Sequence, residues 1–183
     1  TGPPRGNNTM WDTELGWRYP NPKLEALFPL QGMGVTAENL VEQHDISRAA
    51  QDLFAYESHA KSIAAQDAAR FDDELISVPV QLRKTAHVVA ADEGPRRDTS
   101  VEKLGRLRAA FKKGGSVTAG NSSTLNDGAS ALVLASEAMV EQLGATPLAR
   151  VAGAAQAGVD PTIMGIGPVP ATEKLLARTG WTW

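Results

Sequence analysis

The chain has three histidines and no cysteine. Without a thiol, disulfides, thiolate metal sites and cysteine nucleophiles are all excluded within this chain. The histidines do not group with a carboxylate and a nucleophile. His44 stands beside Asp45 in a joint between two helical patterns and lacks metal-ligand spacing, so it reads as an exposed or capping residue. His59 lies mid-helix, where a packed or interfacial side chain is a better reading than a base, and His87 alternates within a strand pattern. No metal site is expected. Ser122 and Ser123 sit in Ala119-Gly120-Asn121-Ser122-Ser123-Thr124-Leu125, which lacks the GxSxG context of a nucleophile elbow. Two readings fit this loop equally: a tight turn, or a small-residue surface that admits a ligand close to the backbone with hydroxyls at hand. Gly165-Ile166-Gly167-Pro168 is not a dinucleotide fingerprint, and no GxxxxGK[ST] loop exists. Arg96-Arg97 and Lys112-Lys113 are either solvated charge or, together with Phe111, a site for a phosphorylated ligand with a flat ring. The residues admit a nucleotide-like ligand but show no group that drives a reaction.

The elements that must position these residues follow from composition and periodicity. With 183 residues, 42% hydrophobic and 21% charged, the chain suits one globular domain, or one domain and part of a second. Eighteen basic residues against 21 acidic ones give a net charge of -3, which argues against a nucleic-acid partner. No apolar stretch approaches the roughly 20 residues of a membrane span. Residues 1–35 are rich in Pro and aromatics and predict irregular structure with a short helix near 23–27. A helix capped by Thr36 is expected over 36–43. A longer one, capped by Ser47, is expected over 48–70, burying a stripe of Ala49, Leu53, Tyr56, Ala60, Ile63 and Ala64. Residues 75–80 and 85–90 read as an antiparallel pair with Pro79 at an edge. Thr99 and Glu102 form a capping box for a helix running to about residue 110. Strands are expected at 116–119 and 149–154, with a run at 131–135 buried on both faces. Helices are expected at 136–143, stopped by Gly144, and at 170–178, entered through Pro170. The alternation makes an α+β or α/β design. The opening residues include no initiator Met, and Trp181-Thr182-Trp183 follow a helix directly, so the chain is expected to be a segment of a longer polypeptide.

Several blocks carry a family resemblance. They are Met33-Gly34-Val35-Thr36-Ala37-Glu38-Asn39, Ile46-Ser47-Arg48 with Gln51-Asp52 and Phe54-Ala55, Asp92-Glu93-Gly94-Pro95-Arg96, Val117-Thr118-Ala119-Gly120-Asn121-Ser122-Ser123, Asn126-Asp127-Gly128-Ala129, and Met164-Gly165-Ile166-Gly167-Pro168-Val169-Pro170-Ala171. In this order, over about residues 11–181, the chain resembles the thiolase family. The resemblance implies a layered α-β-α-β-α thiolase-like α/β fold, incomplete here, with an inserted α+β loop domain. Residues 1–115 would form the loop domain that binds CoA. Residues 116–145 would close the N-terminal half of the fold, and residues 146–183 would open the C-terminal half. It also implies acyl transfer between an enzyme cysteine and CoA, in cleavage of 3-oxoacyl-CoA or the reverse condensation.

Positions matching Met33, Arg96, Phe111, Ala119, Ser122, Ser123 and Leu125 line the CoA site in that family. Arg96 would face an adenosine phosphate, Phe111 and Met33 the pantetheine and acyl path, and Ser123 a pantetheine amide. Thr124 stands where many members have Gly, and Lys103 where some have a small polar contact. The family's nucleophilic Cys would lie before Thr1. Its Asn-Glu-Ala-Phe motif, Gly-His-Pro histidine and second Cys would lie after Trp183, so no catalytic residue is assigned here. No cofactor is implied, CoA being the substrate. The parent protein would be a cytoplasmic homo-oligomer, dimer or tetramer, with no nucleic-acid or membrane partner. The segment Asp12-Thr13-Glu14-Leu15-Gly16-Trp17-Arg18-Tyr19-Pro20-Asn21-Pro22 resembles degradative acyl-CoA acyltransferases, including 3-oxoadipyl-CoA thiolases. Gly32 stands where biosynthetic members often have His. A non-catalytic CoA-binding or interaction module is the alternative.

Overall fold

The structure is a computed structural model that describes residues 19–82 and 85–183; the residues 12–18 of the degradative-type segment lie outside this range. Helix α1, Pro22–Glu25, starts where the Asn21 carboxamide accepts from the Lys23 amide at 3.0 Å. Helix α2, Met33–His44, begins three residues before the expected Thr36 cap. Its first turn is set by a tertiary contact: the Phe111 ring lies against Gly34, where any Cβ would collide with it. Thr36 is therefore inside the helix, its hydroxyl donating to the Met33 carbonyl at 2.8 Å. Asp45, in the left-handed region at φ 50, ends α2. Ser47 then caps α3, Arg48–Asp67, by accepting from the Ala50 amide at 3.2 Å.

Strands β1, Val78–Leu82, and β2, Thr85–Val89, form an antiparallel pair with Pro79 opposite Val88. In a two-stranded sheet both strands are edges, the position at which a proline such as Pro79 is tolerated. Helix α4, Val101–Gly105, is capped by Ser100 rather than Thr99, with Ser100 accepting from the Lys103 amide at 3.2 Å. It stops well before residue 110 because the following chain has another partner. The Ala110 amide donates to the Val117 carbonyl at 2.9 Å, and Ala109 bridges Thr118. Helix α5, Glu137–Leu143, has the expected Ser136 cap and ends at Gly144 with φ 60. A 3₁₀ segment, Pro161–Ile166, precedes α6, Pro168–Thr179, whose first helical residue is Pro168 and not Pro170. Both prolines fit that turn, since its amides have no intrahelical acceptor anyway.

Three expectations fail together. Residues 116–119, 131–135 and 149–154 form no strands, apart from the bridge at Thr118. A strand exists only where a neighbour completes its ladder, and among the described residues the one sheet is β1–β2. The run expected to be buried on both faces is open, with Leu132, Val133 and Leu134 exposed by 89%, 97% and 82%. The stripe on α3 is also largely misplaced: Ala49, Leu53, Tyr56, Ala60 and Ala64 are exposed, and of the six only Ile63 is half-buried. The inward face carries Arg48, Gln51, Asp52, Ala55, His59 and Gln66 instead.

The polar face wins because α3 packs on irregular backbone whose amides and carbonyls need partners. Arg48 donates to the carbonyls of Leu104 and Leu107 at 2.8 and 3.0 Å, joining α3 to the end of α4. Gln51 reaches the Ser116 hydroxyl at 2.9 Å. From α2, the Glu38 carboxylate accepts from the Ser116 amide at 2.9 and 3.1 Å and from the Val117 amide at 2.7 Å. Asn39 of α2 donates to the Thr162 carbonyl at 2.8 Å and so fastens the 3₁₀ segment. Among the described residues the buried set is Leu104, Val117, Thr36, Glu38, Asp52 and Thr118, so polar groups outnumber apolar ones there. No buried polar side-chain atom described lacks a partner.

Glu38 is 2% exposed and accepts charge-assisted bonds from two backbone amides. Glu38→Ala is expected to destabilise the fold by about 3 kcal/mol, since it orphans both donors. Glu38→Gln should cost less, because its carbonyl still accepts. The urea midpoints of the two variants against wild type measure the difference.

Candidate functional site

The 116–123 loop is a cage of its own hydrogen bonds. The Asn121 side chain accepts from the Thr118 amide at 2.7 Å and donates to the Ser116 carbonyl at 3.1 Å. It also donates to Asp52 of α3 at 3.0 Å, and Asp52 in turn takes the Arg48 guanidinium at 2.7 Å. The Thr118 hydroxyl accepts from the Gly120 and Asn121 amides at 3.1 and 3.2 Å. Ser122 donates to the Thr118 carbonyl at 2.6 Å. At Gly120 the ends of the Leu104 and Leu107 side chains occupy the space a Cβ would take. The loop presents the exposed Ser123 hydroxyl on a rigid frame, and no described residue bonds to that hydroxyl.

Opposite it, the 92–98 loop is tied to α3. Gln66 donates to the Asp92 carbonyl at 3.2 Å, and the Arg97 guanidinium grips Asp67 with two bonds of 2.6 and 2.9 Å. The Arg96 amide donates to His59 Nδ1 at 3.2 Å. Among the described residues Arg97 is thus committed to an ion pair, while the Arg96 guanidinium is in none. Neither Glu93 nor Asp98 neutralises it. The Lys103 amine bonds to the Asp98 carbonyl.

Between these loops lies a cleft of about 620 Å³. Arg96, Ala119, Ser122 and Ser123 all line it, joined by Phe54, His59, Lys103 and Asn121. Met33, Phe111 and Leu125 are not on its wall. Phe111 is occupied against Gly34, and Met33 and Leu125 are 72% and 79% exposed. The grouping of both cationic pairs with Phe111 does not form. Lys112 pairs with Glu42 of α2, Arg97 with Asp67, and the aromatic ring in the cleft belongs to Phe54. His59, Phe54 and Asp52, all named from the sequence, were not among the residues assigned to the site. A signal for the polar residues was present, since Arg48, Gln51, Asp52, Ala55, His59 and Gln66 follow one helical face. No three His, Asp or Glu side chains converge among the described residues, and no described helix is long and apolar enough to cross a membrane.

The hydrogen bonds from Arg97, with its charge, hold the Asp67 carboxyl below the ordinary carboxylate range, and the pairing raises Arg97 in return. A depressed acid contributes stability above its unfolded value and loses it as the pH falls through its folded value. An NMR titration should therefore give Asp67 a midpoint below that of free aspartate. Arg97→Ala should move the midpoint back up and loosen exchange protection over 92–98.

Comparison with known proteins agrees with this architecture. The family model for the thiolase N-terminal domain matches residues 17–138, and that for the thiolase C-terminal domain matches residues 145–183. The chain is 48% identical over 167 residues to a beta-ketoadipyl-CoA thiolase of Pseudomonas aeruginosa, covering 91% of this chain and 42% of that protein. It is 50% identical over 151 residues to an acetyl-CoA acetyltransferase of Allochromatium vinosum, covering 82% and 38%. The crystal structure of the Bacillus anthracis acetyl-CoA acetyltransferase superposes with a TM-score of 0.82 at 43% identity, over 94% of this chain and 45% of that one. The chain spans roughly two fifths of the length of the curated relatives it matches. On the extent and identity of these matches, the chain belongs to the thiolase family.

Proposed function

We propose that this chain supplies the CoA-binding region of an acetyl-CoA acyltransferase, a thiolase that passes an acyl group between an enzyme cysteine and the thiol of CoA. The observation that carries the proposal is the cleft, which Arg96, in no ion pair among the described residues, lines together with a hydrogen-bonded loop offering the Ser123 hydroxyl. Arg96 binds a phosphate of CoA, for which its planar fork is suited. Ser123 hydrogen-bonds a pantetheine amide, while the small side chains of Ala119 and Ser122 let the ligand approach the backbone. Phe54, 75% exposed at the cleft, offers a flat apolar surface in the place first assigned to Phe111. Met33 and Phe111 serve the pantetheine and acyl path, and Leu125 the lining of the CoA-binding region, outside this cleft.

The chain contains no cysteine, so the acyl-carrying thiol is not in it. In the proposed architecture, residues 1–115 form the inserted loop domain, and residues 116–145 and 146–183 contribute to the two halves of the layered fold. The relatives' names support a substrate that is a CoA derivative.

Two measurements test this. Incubated with acetoacetyl-CoA and CoA, the chain should form no acetyl-CoA above background; turnover would place a nucleophile within it. In a CoA titration, Arg96→Ala should weaken binding about 10- to 100-fold, as expected for losing a charged hydrogen bond. The loss should shrink as salt is raised. Ser123→Ala should cost about 2- to 10-fold, as for a neutral hydroxyl. Unchanged affinity in Arg96→Ala would remove that residue from the site.

A further inference from the structure

We infer that His59 is a positioning residue for Arg96, aiming the guanidinium into the cleft by holding the Arg96 peptide. This inference rests on the reading of the cleft as a CoA site. The 92–98 loop meets α3 at three points: Gln66 to Asp92, Asp67 to Arg97, and His59 to Arg96. Gln66 and Asp67 are adjacent at the end of α3, and His59 lies two turns earlier, so the three anchors have separate duties. The first two fix the loop to the helix. The third is the bond to the backbone of the residue whose side chain is free, and its own ring lines the cleft beside Arg96.

Pro95, which precedes Arg96, has no amide to contribute, so the orientation of the Arg96 peptide depends on its own N–H. Arginine's side chain is long and rotatable, and the direction in which it leaves the backbone determines whether its fork reaches the cleft. An imidazole half-buried on a helix has two torsions and presents Nδ1 in a narrow range of positions. As the acceptor, Nδ1 carries no proton, which leaves the ring proton on Nε2. The assignment is specific: an acceptor is needed at the place of Nδ1, and bulk alone does not suffice.

The test uses CoA titrations of the chain with His59→Leu, His59→Asn, Arg96→Ala and the double variant His59→Leu/Arg96→Ala. Asparagine can place its amide oxygen close to the position of Nδ1, while leucine fills the volume without an acceptor. With Arg96 present, His59→Leu should weaken CoA binding about 3- to 10-fold, and His59→Asn should stay within about 2-fold of wild type. In the Arg96→Ala background, His59→Leu should add no further loss, which is the coupling a positioning role requires. Where the leucine variant fails to fold by circular dichroism, His59→Ala takes its place in the same cycle. Equal losses in both backgrounds, or no rescue by asparagine, would overturn the positioning role and leave His59 a packing residue. An Arg96→Ala loss with no effect of His59→Leu would also overturn it while leaving the CoA site intact. Wild-type affinity in Arg96→Ala would bring down the cleft reading itself, and the positioning role with it.

Discussion

The carboxylate of Glu38 is the constraint on which the rest depends. It stands on α2, buried, and accepts from the amides of Ser116 and Val117, 78 and 79 positions further along the chain. A charged oxygen in that position is tolerable only with donors in place, and the two amides are tolerable only with an acceptor. Each therefore requires the other. Gly115 is part of the same arrangement, since a Cβ at that position would strike the carboxylate. Once residues 116 and 117 are held, Val117 takes the Ala110 amide, Thr118 is buried, and Asn121 comes within reach of Asp52. The frame of the cleft is assembled from that one anchor outward.

Helix α3 acts as the second support, and its use of polar side chains is the main departure from expectation. Its caps and extent were legible: Ser47 before Arg48 and an uninterrupted helical pattern placed it to within three residues at its far end. Its orientation was not. A hydrophobic stripe marks the inner face when the neighbour is an apolar core. Here the neighbours are the 92–98 loop, the end of α4 and the 116–123 loop, whose carbonyls and amides find partners in the polar side chains of α3. The hairpin and α5 were readable because their signals are local: alternation, Ser136 as a cap, Gly144 as a stop. The strands at 116–119, 131–135 and 149–154 were misread because a strand is not a local object, and composition does not say whether a partner is present.

The candidate site was half legible. Motif resemblance pointed to Arg96, Ala119, Ser122 and Ser123, and the geometry brings those four to one cleft. It pointed equally to Met33, Phe111 and Leu125, which the cleft does not gather. What no spacing argument could supply was the division of labour between Arg96 and Arg97. Adjacent arginines look interchangeable in sequence, and one is free only because Asp67 has taken the other.

The polar character of the interior has a thermodynamic consequence. Heat-capacity change on unfolding rises with apolar surface exposed and falls with polar surface exposed. Among the described residues Leu104 and Val117 are the buried hydrophobics, while Leu132, Val133 and Leu148 are already in contact with solvent when the chain is folded. Side chains already solvated in the folded chain add no new apolar hydration on unfolding, which lowers the heat-capacity increment relative to the usual ~12–15 cal/mol/K per residue. A smaller increment flattens the curve of stability against temperature.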